Sequence, residues 1–272
     1  MSSKITWPVP DPAAPPEAHP ALVSAALSAA RAYGEARAEH TRGELAESSR
    51  TGADGTATMR VDELVEGAIA DTARRHRVNL LSEEVGFVDN ASALTMVVDP
   101  VDGSNNAASG VPLSCFAGVM VEDGVPTEAL TCWLDTGRCW HAIVGEDTAY
   151  RTSGRTELDG AALGLLRPHP EIGRSWWHLA ERAERVRVLG TTCLEAALVA
   201  EGSFDAFVDP GNDAHRIVDL AAALVMVPAA GGVVRDVFDR PLEIDTDLTR
   251  RWSGVVAATP ELAERIIETV RG

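Results

Sequence analysis

The chain has 272 residues, 45% of them hydrophobic, which suits one large globular domain or two closely packed halves and excludes wholesale disorder. It carries 41 Asp+Glu against 24 Lys+Arg, a net charge of −17. Such a field repels nucleic acid and anionic membranes, so neither is an expected partner, and an anionic ligand would need cations between itself and the protein.

Residues 1–20 hold six prolines and read as an extended arm before the domain proper at 21–272. From Ala21 to about Glu47 the chain is rich in Ala, Leu, Arg and Glu, and Leu22, Ala26, Ala29 and Tyr33 recur at helical spacing, which predicts one helix. A small polar loop over 52–58 precedes a second helix, whose stripe is Val61, Leu64, Val65, Ala68, Ile69 and Thr72. Asp62 and Glu66 sit near its start, where the helix dipole alone would favour carboxylates.

Short buried strands are predicted at 79–82 and 94–98, each running into acidic residues. Segments 114–122, 125–134, 137–144 and 148–151 read as an antiparallel meander broken at Asp123-Gly124 and Gly145. Further on, 187–189 and 204–208 read as strands, and Thr192 to Glu201 as a helix. An apolar helix ends near Ala229, stopped by Gly231-Gly232, and is followed by a strand at 233–236 and a helix at 260–270. The longest apolar stretch, 220–234, contains Pro228 and falls short of the ~18 residues of a membrane span. Cys115, Cys132, Cys139 and Cys193 lack zinc-ligand spacing and read as reduced thiols of a cytoplasmic protein.

The chemistry concentrates at Val97 to Asn106, where a buried β run meets two aspartates three residues apart. Pro100 and Gly103 predict a sharp turn that aims Asp99, Asp102 and the Val101 carbonyl at one point, an all-oxygen set suited to Mg²⁺. The amides of Gly103 and Ser104 would follow as donors to phosphate oxygens. Glu83-Glu84 closes the preceding strand; a solvated surface pair is the plain alternative to a metal role. Asp219 lies within apolar helix, as either a metal ligand or a salt-bridge partner of Arg216.

In order, these segments resemble the inositol monophosphatase family, and most of all its archaeal-type branch with dual inositol monophosphatase and fructose-1,6-bisphosphatase activity. The resemblance rests on Glu83-Glu84, on Asp99–Ser104 against Asp-Pro-Ile-Asp-Gly-Thr, on Val218–Ala222 against Trp-Asp-x-Ala-Ala, and on Ala53–Asp62 against Ala-Asp-Gly-Thr-x-Thr-x-x-x-Asp. It implies a layered αβαβα fold, with a metal-binding half at about 21–150, a C-terminal α/β half at about 151–272, and a homodimer.

The resemblance also implies Mg²⁺-dependent hydrolysis of a small phosphorylated sugar or polyol. Two or three ions would be held by Glu83, Asp99, the Val101 carbonyl, Asp102 and Asp219. Asp62 and Ser104 would orient the attacking water, with Glu84 beside them, and Gly103 and Ser104 would bind the phosphate. Arg216 is a candidate substrate contact, with a structural partnership to a carboxylate as the alternative. The chain departs from the family pattern at Val218, Ala107 and Ala229, so its substrate could instead be a phosphorylated intermediate of a specialised biosynthetic pathway. A non-catalytic binding protein on the same fold is the other alternative.

Overall fold

A computed structural model describes residues 3–272. Five layers stack in the order helix, sheet, helix, sheet, helix. Helices Pro20–Glu39 and Arg60–His76 cover one face of a six-stranded sheet. Helices Thr192–Ala200 and Ile217–Ala229 lie between that sheet and a five-stranded one. Helices Gly173–Arg182 and Pro260–Arg271 close the far side.

Period-2 alternation sorts each strand between two cores. In Leu94–Asp102, Met96 and Val98 face the outer helices while Val97 faces the central pair. In Ala206–Val208, Phe207 faces the centre while Ala206 and Val208 pack outward. The central helices, mostly apolar and buried on nearly every side, are sandwiched between the sheets.

The six-stranded sheet runs Gly86–Val88, Asn79–Ser82, Leu94–Asp102, Cys115–Glu122, Val125–Trp133, Cys139–Ile143. Asn79–Ser82 and Leu94–Asp102 are parallel, with Ser82 opposite Val98, and the remaining neighbours are antiparallel. The five-stranded sheet runs Arg185–Arg187, Ala162–Leu165, Ala206–Val208, Gly254–Ala257, Val233–Asp236.

Four local expectations change. The first helix stops at Glu39, and Thr41 opens a separate turn, Arg42–Leu45, through a reciprocal capping box with Glu44. Residues 148–151 form no strand, because the Thr148 hydroxyl donates to the Tyr150 carbonyl (2.7 Å) and folds the segment on itself. The strand through Asp99 does not turn sharply at Pro100; it stays extended to Asp102 with a break in pairing between Asp99 and Asp102. The proline arm is extended but packed: Ile5 is buried, and the Arg37 guanidinium donates to the Trp7 carbonyl at 3.1 Å. No helix among the described residues is long and apolar enough to cross a membrane.

Candidate active site

Register brings the first two acids together. Because Ser82 pairs with Val98 on parallel strands, Glu83, just past the end of its strand, comes beside Asp99, which is still paired with Ala117. Asp219 arrives from the opposite layer, at the third position of helix Ile217–Ala229. Carboxylate oxygens of Glu83, Asp99 and Asp219 lie within 4.8 Å of one another, and all three residues are buried. Asp99, Asp102 and the Cys193 thiol form a second such group. Both are groups that could hold a metal ion.

The electrostatics are those of a site short of positive charge. Burial pushes Glu83 and Asp99 well above the usual carboxylate range. For Asp99 the charges of Glu83, Asp102 and Asp219 push the same way. Its Oδ1 is buried with no hydrogen-bond partner. Oxygen donors, mutual repulsion and an unpartnered buried carboxylate oxygen together fit a hard divalent cation.

Asp102 is positioned differently. It receives the Thr191 hydroxyl (2.6 Å), the Cys193 amide (2.7 Å) and the Thr192 amide (3.1 Å), and so caps helix Thr192–Ala200 from outside its own segment. Its Oδ1 accepts only the Thr192 amide, which leaves a lone pair for a metal. The Val101 carbonyl accepts the Ser104 hydroxyl at 3.0 Å. Gly103 takes φ +87°, and a Cβ there would meet the Leu113 carbonyl at 2.7 Å, so only glycine fits the step from strand to helix Ser104–Ser109.

Asp62 is buried in the first turn of helix Arg60–His76, and its Oδ1 has no partner. Burial pushes its carboxyl up to about 7, opposed by the Ser104 hydroxyl and reinforced by Glu84. The Thr58 hydroxyl donates to Glu84 in a close contact, and burial raises that carboxyl too.

Arg216 caps helix Ile217–Ala229 and turns into the acids. Its Nε and Nη2 donate to Asp219 Oδ2 (3.1 Å) and Oδ1 (3.0 Å), its backbone amide also reaches Oδ2 (2.6 Å), and Nη1 lies against Glu83 Oε2. Both readings of Asp219 are therefore met in one place: it is an ion-pair partner of Arg216 and a member of the converging trio.

Sequence reasoning missed Asp54, although it lies inside the matched Ala53–Asp62 stretch. Asp54 is buried, accepts from Arg216 Nη1 at 2.7 Å, and is fixed by the Thr56 amide and hydroxyl, each at 2.8 Å. Its loop is stapled to the site by amides of Ala53 and Asp54 on the carbonyls of Glu84 and Glu83, both 3.1 Å.

A cleft of about 750 Å³ opens beside Asp102. Asn105, Asn106 and Thr192 line the near end, and Arg167 and His169 stand on the wall from the other half.

The profile of the inositol monophosphatase family matches residues 20–272. The chain belongs to that family. It is 32% identical over 228 residues to the fructose-1,6-bisphosphatase/inositol-1-monophosphatase of Thermococcus kodakarensis, covering 81% of this chain and 86% of that protein. It is 34% identical over 246 residues to the protein of the same name from Methanothermobacter thermautotrophicus, again covering 81% and 86%. A solved Pyrococcus horikoshii protein with similarities to inositol-1 monophosphatase superposes with a TM-score of 0.71 at 26% identity, over 83% of this chain and 88% of that one. The layered fold is thus that of inositol monophosphatases.

Proposed function

We propose that this protein is a Mg²⁺-dependent phosphatase that hydrolyses a phosphate monoester of a small sugar or polyol, of the inositol monophosphate or fructose 1,6-bisphosphate type. The observation that carries the reading is the buried convergence of Glu83, Asp99 and Asp219 within 4.8 Å. Glu83, Asp99 and the Val101 carbonyl would hold one ion, and Asp99, Asp102 and Asp219 a second. When bound, such ions polarise phosphoryl oxygens, lower the pKa of water and neutralise the leaving oxygen.

The chain's own groups do the positioning. Asp62, poised near neutrality, would take a proton from the attacking water, with the Ser104 hydroxyl sharing its orientation. Glu84, held by Thr58, would support that pair from behind. The Gly103 and Ser104 amides would bind phosphate oxygens, and Arg216, paired with Asp54, would face the substrate from beside the acids. Arg167 and His169 suit an anionic or hydroxyl-rich far end of the substrate. Four free cysteines suit a cytoplasmic location, and the family resemblance a homodimer.

The test is phosphate release from a panel of sugar, polyol and nucleotide phosphates, with Mg²⁺ and with EDTA. Mg²⁺-dependent turnover of a sugar or polyol phosphate is the expected result. Turnover of none of them would favour a non-catalytic member of the fold.

A further inference from the structure

Arg216 reaches two of the three carboxylates that would hold a cation. Two of the three converging side chains already face its guanidinium, Asp219 through two side-chain hydrogen bonds and Glu83 through a close contact at Oε2, while Asp99 Oδ1 has no partner. The two N–H groups aimed at Asp219 take directions a metal ion would use. A divalent ion and a guanidinium on the same glutamate also repel at close range in a poorly screened site. A metal ion on Glu83 and a guanidinium against its Oε2 therefore weaken one another.

Asp54 offers the side chain somewhere else to go. It lies outside the trio, already accepts from the same Nη1 at 2.7 Å, and is locked by Thr56. A second guanidinium, Arg251, stands 3.8 Å from it and donates to its carbonyl at 2.9 Å. The backbone of Arg216 is anchored as the helix cap, so only the end of the side chain need turn.

We propose that Arg216 is a resident counter-cation of the acidic centre, which competes with the divalent ion for Glu83 and Asp219 and yields to it by withdrawing onto Asp54. The inference rests on the metal-dependent reading above. It makes the site tolerable when no ion is bound. It also lowers the apparent affinity for the ion by the fraction of molecules in which the arginine has withdrawn.

The experiment uses full-length, EDTA-treated protein, with Mn²⁺ binding followed by calorimetry and by the free-ion paramagnetic resonance signal, and melting followed with and without Mn²⁺. Arg216→Met should bind Mn²⁺ about tenfold more tightly than the parent, a coupling of ordinary size between two sites. It should also melt lower in EDTA, and saturating Mn²⁺ should narrow that gap. Arg216→Lys keeps a point charge but loses the planar fork, and should fall between the two. It carries the comparison alone if the Met variant does not fold without metal. Equal or weaker Mn²⁺ binding by the variant, with the parent binding normally, overturns the competition and makes Arg216 a fixed support of Asp219. No Mn²⁺ uptake by the parent, or uptake unchanged in Asp99→Asn, overturns the metal reading itself.

Discussion

Arg37 and Arg216 both meet buried acid, in different proportions. At the foot of the proline arm, Arg37 pairs with Asp135 at 2.8 Å, both side chains 2% exposed. Trp7 and Tyr33 stack on the guanidinium at 4.8 and 4.9 Å. One cation meets one anion, and the arm is pinned to the body. At the active site, Arg216 faces Asp54, Glu83 and Asp219, with Asp99 beside them. One cation there meets an excess of anions that further positive charge must offset. Burial alone does not separate a structural ion pair from a cation site; the local balance of charge does.

The comparison breaks most sharply if the acidic centre tolerates losing a ligand. Asp99→Asn should cut phosphate release by about a hundredfold or more, while its circular dichroism spectrum stays that of the parent. Near-parental turnover would reduce the centre to another structural network. The converse change, Arg37→Ala, strands Asp135 and should cost about 3–5 kcal/mol in denaturant unfolding. The Mg²⁺ dependence of its turnover should not move, because no acid of the centre touches Arg37.

Asp62 sharpens the contrast through pH. Its folded-state value, about 7, lies above the ordinary carboxylate value, so the folded protein holds a proton that the unfolded chain has released. Stability from this group is therefore complete at acid pH and is lost as pH rises from the unfolded value toward 7. In EDTA, the melting temperature of the parent should fall across that window more steeply than that of Asp62→Asn. Parallel curves would remove the burial argument. The smallest effect is at the rim: Arg167→Ala should raise KM by about fivefold at most with kcat little changed, the behaviour of an exposed charge that binds ground and transition states alike.

Legibility followed locality. The Asp99–Ser104 run is contiguous, so its acids, its glycine and its hydroxyl could be found by reading along the chain. Glu83 could be joined to it because both follow buried strands. Asp54 was passed over because nothing in an aspartate between alanine and glycine tells that Arg216, 162 residues away, will close on it. The wall with Arg167 and His169 was unreadable for a similar reason. Strand Ala162–Leu165 is four residues long and is defined by its neighbours in the sheet rather than by its own pattern. The expected turn at Pro100 was a local inference that lost to pairing with Cys115–Glu122, which keeps the chain extended as far as Asp102.

The sequence by itself determined the layered class, the family and the identity of the converging acids, because periodicity and short motifs are properties of neighbouring residues. Only the tertiary structure decided that Asp102 caps a helix 90 residues on, that Asp219 belongs to the trio and also pairs with Arg216, and that one half-buried arginine stands among too many carboxylates. Those facts depend on which layers touch. Charge balance in a poorly screened interior is set by what is close in space, whatever its distance along the chain.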